Sequence, residues 1–213
     1  MKLYSYWRSS AAYRLRIAMA LKGLEFETLS INIAPAASEQ TGDAFRATNP
    51  QMRVPVLDAG NGPMIQSMAI LEWLDETYTA PSLLPGNASL RHKIRAFANV
   101  IACDIHPLNN LSVLGALRTD FAADDAAISN WYADWIQRGF SALEHMAQSD
   151  SKQTFLFGDT PTLAEVCLIP QIYNARRFSV DLTAFPRLVE VDANCLDLQA
   201  FQAALPENQP DAA

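Results

Sequence analysis

Two adjacent serines stand where the sequence predicts a change from strand to helix. Ser9 and Ser10 follow a segment of alternating polar and apolar residues and precede apolar residues at helical spacing. Backbone N–H groups at a helix amino terminus favour negative charge, and a serine hydroxyl there can donate to a thiolate and lower the pKa of the thiol. A serine can equally act only as the N-cap of the helix. The local sequence leaves both interpretations open.

Two further residue pairs have the chemistry to bind a peptide-like ligand. Val54 precedes Pro55, and a cis bond there would turn the backbone outward to pair with an extended ligand, whereas a trans proline would mark an edge strand. Gln66 and Ser67 open a predicted helix, where an amide and a hydroxyl suit a carboxylate ligand. Simple capping by Ser67 is the alternative.

Basic residues could bind an acidic substrate. Arg8, Arg176 and Arg177 are candidates for holding a dicarboxylate, because a guanidinium can bind a carboxylate through two parallel hydrogen bonds. His106 precedes Pro107 in a predicted long helix, which the proline should kink. Since no carboxylate is visibly paired with His106, we assign it ligand contact rather than acid–base chemistry.

Strand and helix patterns alternate through the first eighty residues. The predicted elements are, in order, a strand at 2–6, a helix ended by Gly23, a strand at 28–33, a short helix at 43–47, a hairpin at 54–65 and a helix at 67–78. The first three make a right-handed βαβ unit, which places Ser9 and Ser10 at the carboxyl end of the first strand.

Only helical patterns remain after the proline- and glycine-containing stretch 79–87. A helix capped by Asp124 carries a wide apolar stripe, and 163–178 is apolar nearly all round, as in a helix at the centre of a bundle. The stripe comprises Ile128, Trp131, Trp135, Phe140 and Leu143, with Tyr132 and Ile136 beside it. We therefore predict an α/β domain at 1–80 and an all-helical domain at 88–213.

Composition argues against several function classes. The net charge of −7 opposes the phosphate attraction on which nucleic-acid binders depend. Apolar stretches are interrupted before the roughly 18 residues of a membrane span, and no basic segment leads into an apolar signal core. The 3 cysteines and 3 histidines are widely spaced, which favours reduced thiols and no metal site. We expect a cytoplasmic protein without nucleic-acid or membrane partners.

Six segments along the chain carry a family pattern. They are Tyr-Ser-Tyr-Trp-Arg-Ser-Ser-Ala-Ala at 4–12, Asn-Pro-Gln-Met-Arg-Val-Pro at 49–55, Gln-Ser-Met-Ala-Ile-Leu-Glu at 66–72, Asp-Ile-His-Pro-Leu-Asn-Asn-Leu-Ser-Val-Leu at 104–114, Gly-Asp-Thr-Pro-Thr-Leu-Ala-Glu at 158–165 and Ala-Arg-Arg-Phe-Ser-Val-Asp-Leu-Thr at 175–183. On these segments the sequence resembles the zeta class of glutathione transferases. Arg-Ser-Ser and Arg-Phe-Ser-Val-Asp-Leu-Thr are more specific to that class than Val-Pro or Gln-Ser.

The resemblance implies a thioredoxin-like amino-terminal domain, an all-α carboxyl-terminal domain, a homodimer and glutathione as cofactor. Ser9, with Ser10 beside it, would activate the thiol. The other residues it implies for the glutathione side of the cleft are Gln40, Val54 through its main chain, Gln66, Ser67, His106, Asn110 and Ser112. Those it implies for the acidic substrate are Arg8, Arg176 and Arg177.

The activity implied by the resemblance is cis–trans isomerisation of a maleyl-type diacid, maleylpyruvate or maleylacetoacetate, in aromatic-compound catabolism. The glutathione thiolate would add to the double bond, the bond would rotate, and elimination would give the trans isomer. A general conjugating transferase and a non-catalytic binding protein on the same fold are the alternatives.

Two departures from the family pattern bear on this expectation. Ala11 stands where the class often has cysteine, so a mechanism that needs a protein thiol there is excluded. Glu165, with Thr162 in a predicted capping box, replaces the usual aspartate. Neither change touches the predicted thiolate site.

Overall fold

The computed structural model describes residues 1–148 and 153–212. The chain forms two compact units, Met1–Leu83 with Leu196–Ala213, and Leu84–Cys195. The sequence predicted a helical domain that continued to residue 213. The structure differs at that end, because the residues from Leu196 onward belong to the first unit.

A four-stranded sheet organises the first unit. Its strands are β1 (Lys2–Ser5), β2 (Glu27–Ser30), β3 (Val56–Asp58) and β4 (Pro63–Ile65), in the order β2-β1-β3-β4. Strand β1 is parallel to β2 and antiparallel to β3, and β3 is antiparallel to β4. The second strand lies earlier than the predicted 28–33, because Ile31 and Ile33 pack instead on a cluster centred on Tyr6 and Phe45.

Four α-helices complete the described part of the first unit. They are α1 (Ser10–Leu21), α2 (Asp43–Thr48), α3 (Ser67–Thr77) and α9 (Gln199–Ala204). Gly23 follows α1 with φ +63°, the left-handed conformation that glycine adopts without steric cost, which confirms the predicted helix end. The α/β character predicted for this part of the chain is also confirmed.

Buried polar contacts join α1 to segments distant in the sequence. Arg16, buried in α1, donates through Nε to the Ala204 carbonyl at the end of α9 (3.2 Å). Lys22 donates to Asp75 Oδ1 (2.9 Å) and to the carbonyls of Tyr78 and Pro81. A buried ammonium needs several acceptors to offset its lost hydration. The Arg16–Ala204 bond, together with the packing of α9 on α1, explains why the carboxyl-terminal residues join the first unit.

The second unit is helical. It contains α4 (Ala88–Asn99), a π-helical segment (Val100–Ile105), α5 (Leu111–Phe121), α6 (Asp125–Ala147), α7 (Leu163–Arg177) and most of α8 (Pro186–Leu196). The predicted kink at Pro107 is wrong. The helix ends at Ile105, and a turn over 106–109 separates it from α5, because proline offers no N–H to continue the hydrogen-bond ladder.

The two longest helices of this unit follow the predicted local rules. Asp124 Oδ1 accepts from the Ala127 N–H (2.8 Å), which confirms the cap of α6. Thr162 and Glu165 form the predicted capping box of α7, and twelve of its fifteen residues are buried. The apolar stripe of α6 is centred on the buried Tyr132 and Ile136, however, while the two tryptophans lie half-buried at its edge.

A glycine allows α6 to approach the π-helical segment closely. A Cβ placed on Gly139 would overlap the buried side chain of Ile105. In contrast, a Cβ on Gly115 in α5 would meet nothing within 4 Å. The close approach at Gly139 therefore positions the residue that immediately precedes His106.

No helix among the described residues is both long enough and apolar enough to cross a membrane.

Candidate functional site

The turn between β1 and α1 presents Ser9 at a helix amino terminus. The Ser9 N–H donates to the Tyr6 carbonyl (2.9 Å), and the Ser9 hydroxyl oxygen accepts from the Ala12 N–H (3.3 Å) as the N-cap of α1. A hydroxyl that accepts through a lone pair keeps its proton for another acceptor. Capping and thiolate stabilisation, the two interpretations left open by the sequence, are therefore compatible at Ser9.

Burial separates the two serines. Ser9 is half-buried, whereas Ser10, the first residue of α1, is 8% exposed. A ligand thiolate must reach the hydroxyl that stabilises it. The structure thus favours Ser9 over Ser10 as the residue that contacts a thiol.

Arg8 is exposed beside Ser9, with its guanidinium ordered by two aromatic residues. Its Nη2 donates to the Tyr6 hydroxyl (3.3 Å), and its Cζ lies 4.6 Å from the centroid of the Trp7 ring. A guanidinium carries five N–H donors, so the contact with Tyr6 leaves donors for a carboxylate. Stacking on the ring reduces the side-chain entropy that binding would cost.

Gln66 and Ser67 form the amino terminus of α3 in an unusual backbone conformation. Gln66 has φ +70° and ψ 104°, and a non-glycine residue with positive φ is strained and often marks a ligand site. Its side-chain amide donates to Gln51 Oε1 (2.7 Å). The Ser67 hydroxyl accepts from Arg14 Nη1 (3.3 Å). Because a guanidinium only donates, the Ser67 hydroxyl keeps its proton, but the residue is 8% exposed, as Ser10 is, so its contact with a ligand carboxylate stays a prediction.

Gln40 and Val54 lie on two other segments of the first unit. Gln40 belongs to a 3-10 turn (Glu39–Thr41), and its Oε1 is buried with no hydrogen-bond partner among the described residues. A buried acceptor of this kind suits a ligand N–H. The Val54–Pro55 bond is cis, which resolves the alternative left open by the sequence. Val54 precedes β3, so its main chain lies outside the described strand.

The second unit carries the three residues predicted to line the cleft. His106 is half-buried and follows the π-helical segment, and its backbone N–H donates to the Ile101 carbonyl (2.9 Å). Asn110 is the N-cap of α5, and its Oδ1 accepts from both the backbone N–H (3.0 Å) and the hydroxyl (2.9 Å) of Ser112. These contacts give Asn110 and Ser112 a structural role, and ligand contact by these three residues stays a prediction.

The two neighbouring arginines at the end of α7 differ in their partners. Arg176 forms an ion pair with Asp192, whose side chain is 2% exposed. Burial raises the pKa of Asp192 and Arg176 opposes that rise. Arg177 is exposed, and its Cζ lies 4.7 Å from the Phe178 ring centroid. Because Arg176 compensates a buried carboxylate, Arg177 is the better candidate for an external one.

Some residues that position the candidate site were not predicted. Arg14 holds Ser67, Gln51 holds Gln66, and Asp211 Oδ2 accepts from the Trp7 N–H (3.0 Å). Arg14 could have been found from the sequence, because an arginine inside an apolar helix pattern needs a buried partner. Nothing local to Gln51 or Asp211 indicates their contacts. Among the described residues, no cluster of His, Cys, Asp or Glu could hold a metal ion.

Comparison with known proteins identifies the family pattern. Residues 1–76 match the glutathione S-transferase amino-terminal domain, and residues 129–191 match a glutathione S-transferase carboxyl-terminal domain. Maleylpyruvate isomerase of Ralstonia sp is 50% identical over 214 residues, with 100% of each chain covered.

Solved structures give the same picture. The holo structure of a maleylpyruvate isomerase, a bacterial glutathione S-transferase of the zeta class, has a TM-score of 0.97 at 50% identity, with 100% of each chain covered. A maleylacetoacetate isomerase of Anaeromyxobacter dehalogenans, with dicarboxyethyl glutathione and citrate in its active site, has a TM-score of 0.87 at 42% identity. That match covers 100% of this chain and 93% of the other.

Proposed function

This chain belongs to the glutathione S-transferase family, and we propose that it is a glutathione-dependent cis–trans isomerase of a maleyl-type diacid, maleylpyruvate or maleylacetoacetate. The reaction would serve aromatic-compound catabolism. The observation that carries the proposal is the geometry of Ser9, a half-buried hydroxyl that caps α1 and keeps its proton for a thiolate.

The residues of the first unit fit glutathione by their chemistry. Ser67 has a proton to donate to a carboxylate, Gln66 lies beside it at the start of α3, and the buried Gln40 Oε1 needs a donor. Val54 would offer main-chain groups to the peptide part of the ligand. Together these groups supply both donors and acceptors for a charged tripeptide.

Bound glutathione supplies the thiolate, which adds to the cis double bond and leaves again after the resulting single bond has rotated. The Ser9 hydroxyl donates a hydrogen bond to the thiolate sulfur, and the amino terminus of α1 favours the negative charge on that sulfur. Arg8 and Arg177 each bind a carboxylate of the diacid. Ala11 carries no thiol, so the proposed chemistry needs no protein nucleophile at that position.

The diacid substrate is supported by a ligand of a relative. Dicarboxyethyl glutathione, found in the active site of the Anaeromyxobacter dehalogenans isomerase, carries two carboxyl groups on the chain attached to its sulfur. Maleylpyruvate and maleylacetoacetate also have two carboxyl groups, one on the double bond and the other at the far end of the chain. With a net charge of −7 on the whole protein, a dianion needs local cations to bind, and Arg8 and Arg177 are exposed to provide them.

The decisive experiment measures turnover of maleylpyruvate and of maleylacetoacetate by the purified protein, with and without glutathione. We expect isomerisation of at least one compound that depends strictly on glutathione. Conjugation of a small neutral electrophile, measured in parallel, tests the general transferase. Conjugation without isomerisation would reject the proposal, and neither activity together with tight glutathione binding would favour a binding protein.

We also propose that the enzyme is a cytoplasmic homodimer. None of the three cysteines, all of which lie in the described part of the chain, forms a disulfide, which suits a reducing compartment, and the resemblance implies a dimer. Light scattering at assay concentration tests the assembly. A fully active monomer would contradict it.

A further inference from the structure

The turn that carries the proposed site is short and would ordinarily be solvated. The Ser9 N–H donates to the Tyr6 carbonyl (2.9 Å), which makes Trp7 and Arg8 its central residues. Central residues of a turn commonly direct their backbone groups to water. The turn by itself therefore sets the position of Arg8 and Ser9 only loosely.

Both backbone groups of Trp7 are instead bound by charged side chains. The Trp7 N–H donates to Asp211 Oδ2 (3.0 Å), and the Trp7 carbonyl accepts from Arg16 Nη2 (2.9 Å). Arg16 is 1% exposed and is itself fixed, because its Nη1 donates to Ser5 Oγ (3.2 Å). Bonds of this type, with one charged partner, are stronger than those between neutral groups.

Asp211 is held in place on its own side of the contact. The Ser30 hydroxyl at the end of β2 donates to the same Oδ2 (2.9 Å), so Oδ2 carries both contacts, while Oδ1 is buried with no hydrogen-bond partner among the described residues. Ser30 lies opposite Ser5 in the β1–β2 register. The carboxylate thus bridges the end of β2 and the turn that follows β1, the strand paired with β2.

From these contacts we infer that Asp211 is a positioning residue for the proposed isomerase, holding the Trp7 backbone so that Arg8 and Ser9 keep a fixed geometry. The inference rests on the proposed function. Its physical basis is that a misplacement of about 1 Å in a reacting group can cost roughly a hundredfold in rate. Asp211 lies at the opposite end of the sequence from the turn, and it does not touch the reacting atoms.

Two substitutions at Asp211 separate the hydrogen bond from the charge. Asp211→Ala removes the acceptor, whereas Asp211→Asn keeps a carbonyl oxygen for the Trp7 N–H and the Ser30 hydroxyl but removes the charge. Ser30→Ala is the matched comparison, because it removes only the bond that holds Asp211 and leaves both partners of the Trp7 contact present. Circular dichroism of each variant checks that the fold is retained.

Three measurements distinguish positioning from general destabilisation. In Asp211→Ala we expect hydrogen exchange of the Trp7 amide to rise about tenfold or more, which is the loss of one charge-assisted bond. We expect kcat to fall about tenfold, while the KM for glutathione changes less than about twofold, since most of its proposed contacts lie elsewhere. The pKa of bound glutathione should rise. Asp211→Asn, which keeps only a neutral hydrogen bond, should lie between Asp211→Ala and wild type, and Ser30→Ala should change all three measurements less than Asp211→Ala does.

Clear outcomes overturn the inference. Unchanged exchange at Trp7 in Asp211→Ala would show that the bond does not order the turn, and equal losses in the alanine and asparagine variants would assign the effect to charge. Hydrogen exchange and titration of the bound thiol need no diacid. If the wild-type protein shows no isomerisation, the proposed function fails while these two measurements still decide the role of Asp211.

Discussion

Replacing Ser9 separates its two roles because the structure assigns each to a different atom. The Oγ lone pair caps α1 through the Ala12 N–H, and loss of an N-cap serine to alanine typically costs about 1 kcal/mol of stability. The hydroxyl proton is proposed to stabilise the thiolate, and a hydrogen bond to a charged group contributes about 1.5–3 kcal/mol.

The thiolate contribution predicts a measurable titration. Since one pH unit corresponds to about 1.4 kcal/mol, Ser9→Ala should raise the pKa of bound glutathione by about one to two pH units and lower kcat/KM roughly ten- to a hundredfold. Glutathione affinity should change little, because Gln66, Ser67 and Gln40 are proposed to hold the rest of the ligand.

Ser9→Gly is the matched variant. Glycine also lacks the hydroxyl, but at an N-cap it costs only about a few tenths of a kcal/mol of stability. We therefore expect Ser9→Gly and Ser9→Ala to share the raised thiol pKa, while only the alanine variant loses about 1 kcal/mol of unfolding free energy.

The assay is ultraviolet titration of the thiolate in the glutathione complex, with urea unfolding of each variant in parallel. Ser9→Thr, which keeps a hydroxyl, should titrate close to wild type. An unchanged thiol pKa with full activity in both Ser9→Ala and Ser9→Gly would refute the reasoning and transfer the role to Ser10 or to backbone N–H groups.

Three other outcomes follow from the described contacts. Arg8→Met or Arg177→Met should lower kcat/KM for isomerisation roughly ten- to more than a hundredfold yet spare conjugation of a neutral electrophile, and equal losses in both reactions would contradict the carboxylate role. Gly139→Ala should lower the unfolding free energy by about 1–3 kcal/mol through overlap, whereas Gly115→Ala, which has open space, should raise it by about 0.5–1 kcal/mol; urea unfolding that ranks them the other way would be inconsistent with the packing. Burial raises the pKa of Tyr132 from 10.0 to about 12, although Arg177 lowers it, so the stability from neutral Tyr132 is full below pH 10 and is lost as pH rises to about 12. Between about pH 8 and pH 11 the unfolding free energy of wild type should therefore fall by about 1.4 kcal/mol more than that of Tyr132→Phe. Plots of unfolding free energy against pH that stay parallel for the two proteins would exclude that titration.

Local rules made much of the fold predictable from the sequence. The end of α1 at Gly23, the cap of α6 by Asp124 and the capping box of Thr162 and Glu165 are all confirmed. Each depends on residues within a few positions of one another, where steric limits and hydrogen-bonding chemistry act directly. The family resemblance, carried by short segments in a fixed order, extended that prediction to the family and its proposed cofactor.

The candidate site was predictable in residue type more than in role. The sequence identified Ser9 and Ser10 together, and the backbone conformation that half-exposes one hydroxyl while burying the other separated them. Arg176 and Arg177 are adjacent and chemically identical, yet Asp192, from another helix, forms an ion pair with only one of them among the described contacts. A partner distant in sequence leaves no trace in the local pattern.

The sequence by itself determined the order of the elements, the ends of several helices and the residues able to stabilise a thiolate. Tertiary structure decided the placement of 196–213 on the first unit, the strained backbone at Gln66 and the attachment of Trp7 to Asp211. Propensity and capping act over one or two helical turns, whereas these features depend on contacts between residues far apart in the chain, which exist only once the packed fold has brought their side chains together.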